Sequence, residues 1–159
     1  MSIVKKSFFD IIASSVENSV FLDLFAGTGS VGIEALKRGA KKVIFVEKNH
    51  KYSEIIRKKT SFYDKERYEI YRMDVCRFLT LPMIEVADIV YADPPYDFLN
   101  ISRGRVFLQK LFKKVRGNCI IAIEHRKGVE LKEVDERFCI FRNRQFGKTE
   151  LTIYKRKEQ

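Results

Sequence analysis

The sequence predicts an α/β fold built on a mostly parallel sheet, and three observations support this prediction. Short apolar runs alternate with helical patterns along the 159-residue chain, as expected for right-handed strand–helix–strand units. The second run, at residues 42–46, is nearly all apolar, which is typical of a strand with helices on both faces of its sheet. The last two runs flank a short turn at Gly147 and therefore predict an antiparallel hairpin.

The periodicity of apolar residues places the elements in order along the chain. Strands are predicted at residues 20–24, 42–46, 68–72, 87–92, 119–123, 138–144 and 150–154. Helices are predicted at residues 3–15, from a glycine turn to Arg38 with Gly39 as its cap, from an Asn49 cap to about residue 60, and at residues 106–115. Residues 97–102 are predicted as a loop. A chain of this length without repeats or linkers predicts one domain, residues 1–159.

The charge balance indicates a polyanionic partner. The chain has 31 Lys and Arg against 21 Asp and Glu, a net charge of +10, and 45% of its residues are hydrophobic, as in globular domains. Nucleic acid is favoured because no basic amphipathic helix suited to lipid stands out, although solubility alone also explains such a charge. The candidate phosphate contacts are Lys5, Lys6, Arg103, Arg105 and Arg144.

Membrane, secreted and metal-binding classes are not indicated. No run approaches the roughly 18 apolar residues of a membrane helix, and the N-terminus lacks a signal-peptide layout, so we expect a cytoplasmic protein without a membrane partner. Cys76, Cys119 and Cys139 are scattered, with no C-x-x-C motif and no histidine cluster nearby. We therefore expect neither a disulfide framework nor a metal site.

A glycine-rich turn joins the first strand to the second helix. Phe25 and Ala26 lead into Gly27-Thr28-Gly29, and the glycines let a ligand approach the main chain without meeting a Cβ atom. The N–H groups of the turn and of the helix start are predicted to form a donor-rich lip for a carboxylate or a phosphate.

Two kinds of cofactor use such a turn. Its glycines and Gly32 also fit the dinucleotide-binding pattern G-x-G-x-x-G, with Glu47 at the spacing of the acid in that fingerprint. Asp23, beside the turn, is not required by that pattern and suits a ligand with an ammonium group. S-adenosylmethionine carries an ammonium and a carboxylate, whereas a nicotinamide dinucleotide carries a pyrophosphate. A solvated acid at a strand end is the other interpretation of Asp23.

Acidic residues lie at the ends of four predicted strands, and they are Asp23, Glu47, Asp74 and Asp93. Ligands of open α/β sheets bind at the carboxyl ends of the strands, although acids also occur there by chance. The Glu47 carboxylate can accept hydrogen bonds from both hydroxyls of a ribose, and Lys48 adjoins it. Asp74 can accept from an exocyclic amine while Val75 packs on a purine ring.

The most specific motif is Asp93-Pro94-Pro95-Tyr96, directly after the fourth strand. The prolines fix φ and lack N–H groups, so the loop is stiff and its carbonyls are free to accept hydrogen bonds. The Asp93 carboxylate and the Pro94 carbonyl can hold both N–H bonds of a nucleobase amine and aim its lone pair at a methyl donor. Tyr96 can stack on the base. A rigid loop at a sheet edge is the alternative.

At these residues the chain resembles a known family. Residues 23–29, Glu47, Asp74 and residues 93–96, in this order, are similar to the motifs of class I S-adenosylmethionine-dependent amino methyltransferases. Residues 24–40 are close to the signature of the RsmD-type 16S rRNA (guanine-N2) methyltransferases. The resemblance covers nearly the whole chain. It implies a Rossmann-like α/β fold with a mostly parallel seven-stranded sheet, an antiparallel C-terminal hairpin and helices on both faces.

The resemblance also implies ligands and partners. It assigns the methionine moiety of S-adenosyl-L-methionine to residues 23–29, the ribose to Glu47, the adenine to Asp74 and Val75, and the target amine to residues 93–96. The cofactor product is S-adenosyl-L-homocysteine. The implied partner of a monomeric enzyme is RNA, either 16S rRNA or a small-subunit assembly intermediate. Family members usually begin with a basic β-hairpin, and this sequence starts at the first helix instead.

The favoured function is methyl transfer to the exocyclic N2 amine of a guanine in RNA. Guanine offers N1–H and N2–H₂ donors that suit an acceptor-only Asp93, whereas adenine offers an N1 acceptor at the same edge. Some adenine-N6 DNA methyltransferases also carry Asp-Pro-Pro-Tyr, so adenine in DNA is the first alternative. A nicotinamide-dependent oxidoreductase, which leaves residues 93–96 without a role, and a catalytically silent RNA-binding domain are the others.

Overall fold

Seven strands form one sheet in the part of the chain that the computed structural model describes, residues 1–131 and 134–158. The strands are β1 (Val20–Leu24), β2 (Lys42–Val46), β3 (Tyr68–Tyr71), β4 (Ile89–Ala92), β5 (Ile120–Arg126), β6 (Phe138–Phe146) and β7 (Thr149–Arg156). Their spatial order is β3-β2-β1-β4-β5-β7-β6. Strands β1 to β5 pair in parallel, and β7 pairs antiparallel with β5 and β6. The predicted fold class is confirmed.

The described α-helices are α1 (Ile3–Val16), α2 (Ser30–Lys37), α3 (His50–Thr60), α4 (Val75–Phe78) and α5 (Ser102–Lys114). Asn49 caps α3 by accepting a hydrogen bond from the Tyr52 N–H at 3.0 Å, which confirms the predicted cap. Gly39 follows the end of α2 with φ of +88°, as its predicted capping position requires. No helix in the described ranges combines the length and apolar character needed to cross a bilayer.

Helices cover both faces of the sheet. On one face α1, α2 and α3 pack over a core that includes Phe8, Phe21 and Tyr91, with 4.8 Å between the ring centroids of Phe8 and Tyr91. On the other face α4 and α5 pack over a second core that includes Val90 and Phe107. Because both faces are covered, β1, β2 and β4 are nearly continuous apolar runs.

The connection between β4 and α5 differs from the prediction. The predicted loop contains a 3₁₀ turn, Phe98–Asn100, and α5 begins at Ser102 rather than at residue 106. No side chain caps this helix start, so the sequence carries no start signal. Gly104 further weakens the helical pattern, yet its lack of a side chain is required: a Cβ atom there would lie 2.0 Å from the Phe98 carbonyl oxygen. The short α4 was also not predicted.

Candidate active site

A cleft of about 540 Å³ opens beyond the carboxyl ends of β1 to β4. It is lined by Phe25, Gly27, Val46, Glu47, Lys48, Asn49, Tyr52, Met73, Asp74, Val75, Asp93, Pro94, Pro95, Phe98, Ile101 and Arg103. The volume lies within the range of about 300–1,000 Å³ that is typical of small-molecule sites. The edge of the sheet predicted to hold the ligand therefore does form a cavity of suitable size.

Most of the predicted site residues meet in this cleft. Five residues predicted to contact the cofactor or the target amine do not line the cleft: Asp23, Ala26, Thr28, Gly29 and Tyr96. A second cavity of about 530 Å³ lies between α5 and the segment after β5. Of the predicted site residues, Arg105 lines this second cavity. Most of the residues predicted to contact the cofactor or the target amine therefore lie around the first cleft.

The glycine turn does not present the open donor lip that we expected. All three glycine N–H groups donate within the protein: Gly27 to Glu47 Oε1 (2.9 Å), Gly29 to the Ala26 carbonyl (2.8 Å) and Gly32 to Asp23 Oδ2 (3.0 Å). The expectation is therefore wrong for the glycines. The glycines instead permit a tight fold, since a Cβ atom at Gly32 would lie 2.4 Å from the Phe45 ring.

Asp23 is the penultimate residue of β1, at the predicted strand end, and it is buried, so the interpretation as a solvated acid is wrong. Its side chain is buried, with 2% of the residue exposed, and its carboxylate accepts the Gly32 N–H near the start of α2. Burial raises the pKa of Asp23 well above its ordinary value, the Gly32 hydrogen bond lowers it, and the charges of Asp93 and Glu47 raise it further. Asp23 therefore joins β1 to α2, and its contact with a ligand ammonium stays a prediction.

Glu47 connects two turns at the edge of the cleft. Its Oε1 accepts the Gly27 N–H and its Oε2 accepts the Asn49 N–H, both at 2.9 Å. An ionised carboxylate offers about four lone-pair sites, so two remain after these bonds. Glu47 can therefore accept further hydrogen bonds on the side that lines the cleft.

Asp74 and Arg103 form an ion pair between two parts of the cleft wall. Asp74 Oδ1 caps α4 by accepting the N–H groups of Cys76 and Arg77, at 2.9 and 3.4 Å. Its Oδ2 accepts a hydrogen bond at 2.8 Å from Arg103 Nη2, in the first turn of α5. Arg103, predicted as a phosphate contact, is exposed and lines the cleft beside the residue predicted for adenine.

Asp93 directly follows β4 and lines the cleft near the hydrogen-bonded side chains of Tyr91 and Glu124. Asp93 is an exposed residue, but the protein around its carboxylate partly desolvates that group. This desolvation and the nearby Glu124 carboxylate raise the pKa of Asp93 to about 7. Glu124 accepts a hydrogen bond from the buried Tyr91 hydroxyl. Burial and Glu124 together raise the pKa of Tyr91. At neutral pH Asp93 is consequently divided between its acid and carboxylate forms.

Sequence reasoning missed Glu124 and Arg126. Both lie in β5 beyond residue 123, where the strand was predicted to end. Glu124 is another acid after an apolar run, so the rule that selected the other strand-end acids also applies to it. The Arg126 guanidinium lies 4.5 Å from the ring centroid of Tyr96 and 3.5 Å from the Asp97 carboxylate. Tyr96 itself is 55% exposed at the cleft rim.

The remaining predicted phosphate contacts are spread over the surface. Lys5 and Lys6 lie in α1, and Lys6 pairs with Asp10 at 2.7 Å. Arg105 lies in α5 on the opposite face of the sheet, and Arg144 is exposed on the edge strand β6. The structure brings none of these four into the cleft.

Comparison with known proteins identifies the family. The model of the family described as conserved hypothetical protein 95 matches residues 1–155. The chain is 32% identical over 127 residues to ribosomal RNA small subunit methyltransferase D of Haemophilus influenzae, which covers 78% of this chain and 65% of that protein. It is 29% identical over 157 residues to Bacillus subtilis YlbH, covering 97% and 85% of the two chains. The Escherichia coli protein yhhF shares the fold, with a TM-score of 0.87, 23% identity and coverage of 100% and 89%. The chain therefore belongs to the RsmD-type family of class I methyltransferases, whose cofactor is S-adenosylmethionine.

Proposed function

We propose that this protein transfers a methyl group from S-adenosylmethionine to the N2 amine of a guanine in ribosomal RNA, specifically 16S rRNA. The observation that carries the proposal is the cleft itself. Asp93, Pro94 and Pro95 line the same cavity as Glu47 and Asp74. The proposed acceptors of the target amine and the residues that suit a nucleoside cofactor therefore share one cavity.

The residues of the cleft fit the cofactor. Glu47 retains acceptor sites for the two ribose hydroxyls, and its carboxylate is already oriented by two backbone hydrogen bonds. Val46, Met73 and Val75 supply apolar surface for an adenine ring, and Asp74 supplies an acceptor for its amine. Lys48 and Arg103 contribute positive charge at the rim. When bound, S-adenosylmethionine supplies an electrophilic methyl group.

Asp93 and Pro94 orient the target amine in this proposal. The lone pair of an exocyclic amine is delocalised into the base, so the amine is a weak nucleophile. Two acceptors on its N–H bonds fix its orientation, and positioning of this kind lowers a barrier substantially. The amine loses one proton when it becomes substituted. The Asp93 carboxylate, with a pKa near 7, is a suitable acceptor for that proton.

Tyr96 and Arg126 hold the base in the proposed complex. Arg126 covers one face of the Tyr96 ring and is held there by Asp97, so the other face is the one on which a base can stack. The target guanine has to be unpaired or extruded from a helix to reach this position.

A guanine in ribosomal RNA is favoured over an adenine in DNA by two observations. The net charge of +10 suits a nucleic acid of either kind, but the Haemophilus influenzae relative is named a ribosomal RNA methyltransferase. An ionised Asp93 matches the two donors of the guanine edge better than the acceptor of adenine.

The test is to incubate the protein with tritiated S-adenosylmethionine and small-subunit RNA from a strain lacking the corresponding activity. Nucleoside mass spectrometry and fragment mapping then identify the product. We expect N2-methylguanosine at one position. Methylated adenine in a DNA substrate with no label in RNA would contradict the proposal, and so would binding of a nicotinamide dinucleotide in place of S-adenosylhomocysteine in calorimetry.

A further inference from the structure

A groove of about 470 Å³ lies between α1, α2 and the segment that follows α3, and the proposed mechanism does not use it. Its lining consists of Lys5, Ser30, Ile33, Glu34, Lys37, Lys59, Phe62 and Tyr63. The four α2 residues in this lining recur at helical spacing, so one face of α2 forms a wall of the groove.

Phe62 is the unusual residue of this groove. It is 92% exposed, more than any other large hydrophobic residue in the described ranges. The neighbouring Tyr63 is only partly buried and also lines the groove. An exposed aromatic ring gains from contact with another flat apolar surface, and nucleic-acid bases offer such surfaces in any sequence.

The charge of the groove is strongly positive. Lys5, Lys37 and Lys59 face it, and the acid in its lining, Glu34, is already paired with Arg38 at 2.9 Å. Among the described residues, neither Lys5 nor Lys37 pairs with an acid. The Lys59 ammonium donates to the Thr28 carbonyl at 3.3 Å, which connects the groove to the glycine turn.

The groove adjoins the cleft. Thr28 is an exposed residue that separates Lys59 from Gly27, which lines the cleft. A strand that delivers a base to Asp93 can therefore continue over the glycine turn into the groove.

We propose that this groove binds a single-stranded stretch of the RNA that carries the target base. Phe62 stacks on a base of that stretch, while Lys5 and Lys37 contact its phosphates. The inference rests on the proposed function and specifies how the RNA is held. A single strand is required because the bases of a duplex are stacked on one another and leave no free face for Phe62.

The test measures binding of a fluorescein-labelled 12-nucleotide RNA, as a single strand and as a duplex, over a series of salt concentrations. Phe62→Ala should weaken single-strand binding about tenfold, the range of one lost base–aromatic stack, and leave the salt dependence unchanged. Phe62→Tyr should restore the affinity. Lys5→Ala/Lys37→Ala should reduce the slope of log K against log salt by about 1.4, at about 0.7 per phosphate contact.

The control is Lys110→Ala/Lys113→Ala, which removes the same charge from exposed positions in α5 on the opposite face of the sheet. Equal slopes for the two double variants, or unchanged single-strand affinity in Phe62→Ala, would overturn the proposed role of the groove in RNA binding. Calorimetry with S-adenosylhomocysteine should give equal cofactor affinity for all variants. Methyl transfer to small-subunit RNA by the unchanged protein tests the proposed function separately. Normal transfer without binding of the single-stranded 12-mer would overturn the role of the groove alone, whereas absence of transfer would overturn the proposed function.

Discussion

Asp23 lies in β1 and Asp93 directly follows the neighbouring parallel strand β4, yet the two carboxyl groups have different surroundings. Asp23 pairs in register with Tyr91, so Asp93 follows two residues further along the adjacent strand. Desolvation raises the pKa of both carboxyl groups. Asp23 is covered by α2 and bonded to the Gly32 N–H, whereas Asp93 faces the cleft, where its pKa reflects desolvation and Glu124. The comparison predicts that Asp23→Ala acts first on stability and Asp93→Ala first on methyl transfer.

The largest effect should come from Asp93→Ala. Loss of the amine acceptor should lower kcat for methyl transfer about 100-fold or more, because positioning and proton acceptance are removed together. S-adenosylhomocysteine affinity, measured by calorimetry, should stay within about twofold if Asp93 acts on the target amine only. Glu85→Ala, which removes an exposed carboxylate elsewhere, serves as the control. An Asp93→Ala protein with normal turnover would remove the distinction between the two aspartates.

Asp23→Ala should act on stability first. It leaves the buried Gly32 N–H without an acceptor, so the free energy of unfolding in urea should fall by about 1–3 kcal/mol. Asp23→Asn keeps an oxygen acceptor for this donor and removes the cost of a buried charge, so it should recover most of the loss. Equal destabilisation by the two substitutions would show that the Gly32 hydrogen bond is not what matters.

The pH dependence of methyl transfer reports on the protonation of Asp93. The pKa of Asp93 is raised to about 7, so its acceptor form predominates above that pH and is lost as the pH falls through it. Single-turnover transfer should therefore be about tenfold slower at pH 6 than at its plateau. Glu124→Gln removes one cause of the raised pKa and should move the midpoint to lower pH. A flat profile from pH 6 to 8 would contradict a role for the Asp93 carboxylate.

The smallest effect is expected at Gly27. Its φ is +57°, and a Cβ atom added there would meet nothing within 4 Å, so Gly27→Ala should cost about 1 kcal/mol of stability through backbone strain alone. Gly117→Ala is the matched control, since that glycine also has open space but no positive φ. Thermal unfolding of both variants measures the difference. Equal unfolding temperatures would show that the turn relaxes around the substitution.

The sequence was sufficient to predict the parallel sheet, the C-terminal hairpin and the cleft because apolar runs and strand-end acids are local signals. The sequence did not reveal that the Asp23 carboxylate is buried against the start of α2, because a short motif carries no information on which helix packs over it. The sequence did not reveal that Arg103 lines the cleft, because the start of α5 has no capping residue. Glu124 and Arg126 were missed because β5 continues beyond its apolar run with polar residues, which the antiparallel pairing with β7 keeps in the strand.

Glu47 has a consequence for the interpretation of mutants. One carboxylate ties the glycine turn to the start of α3 and also faces the cleft. Its truncation would free two neighbouring loops as well as delete an acceptor, so the resulting loss of cofactor affinity would combine scaffold disorder with a missing contact. Glutamine at this position, which keeps one oxygen acceptor and introduces an amide donor, would separate the two contributions when its unfolding and binding energies are measured side by side.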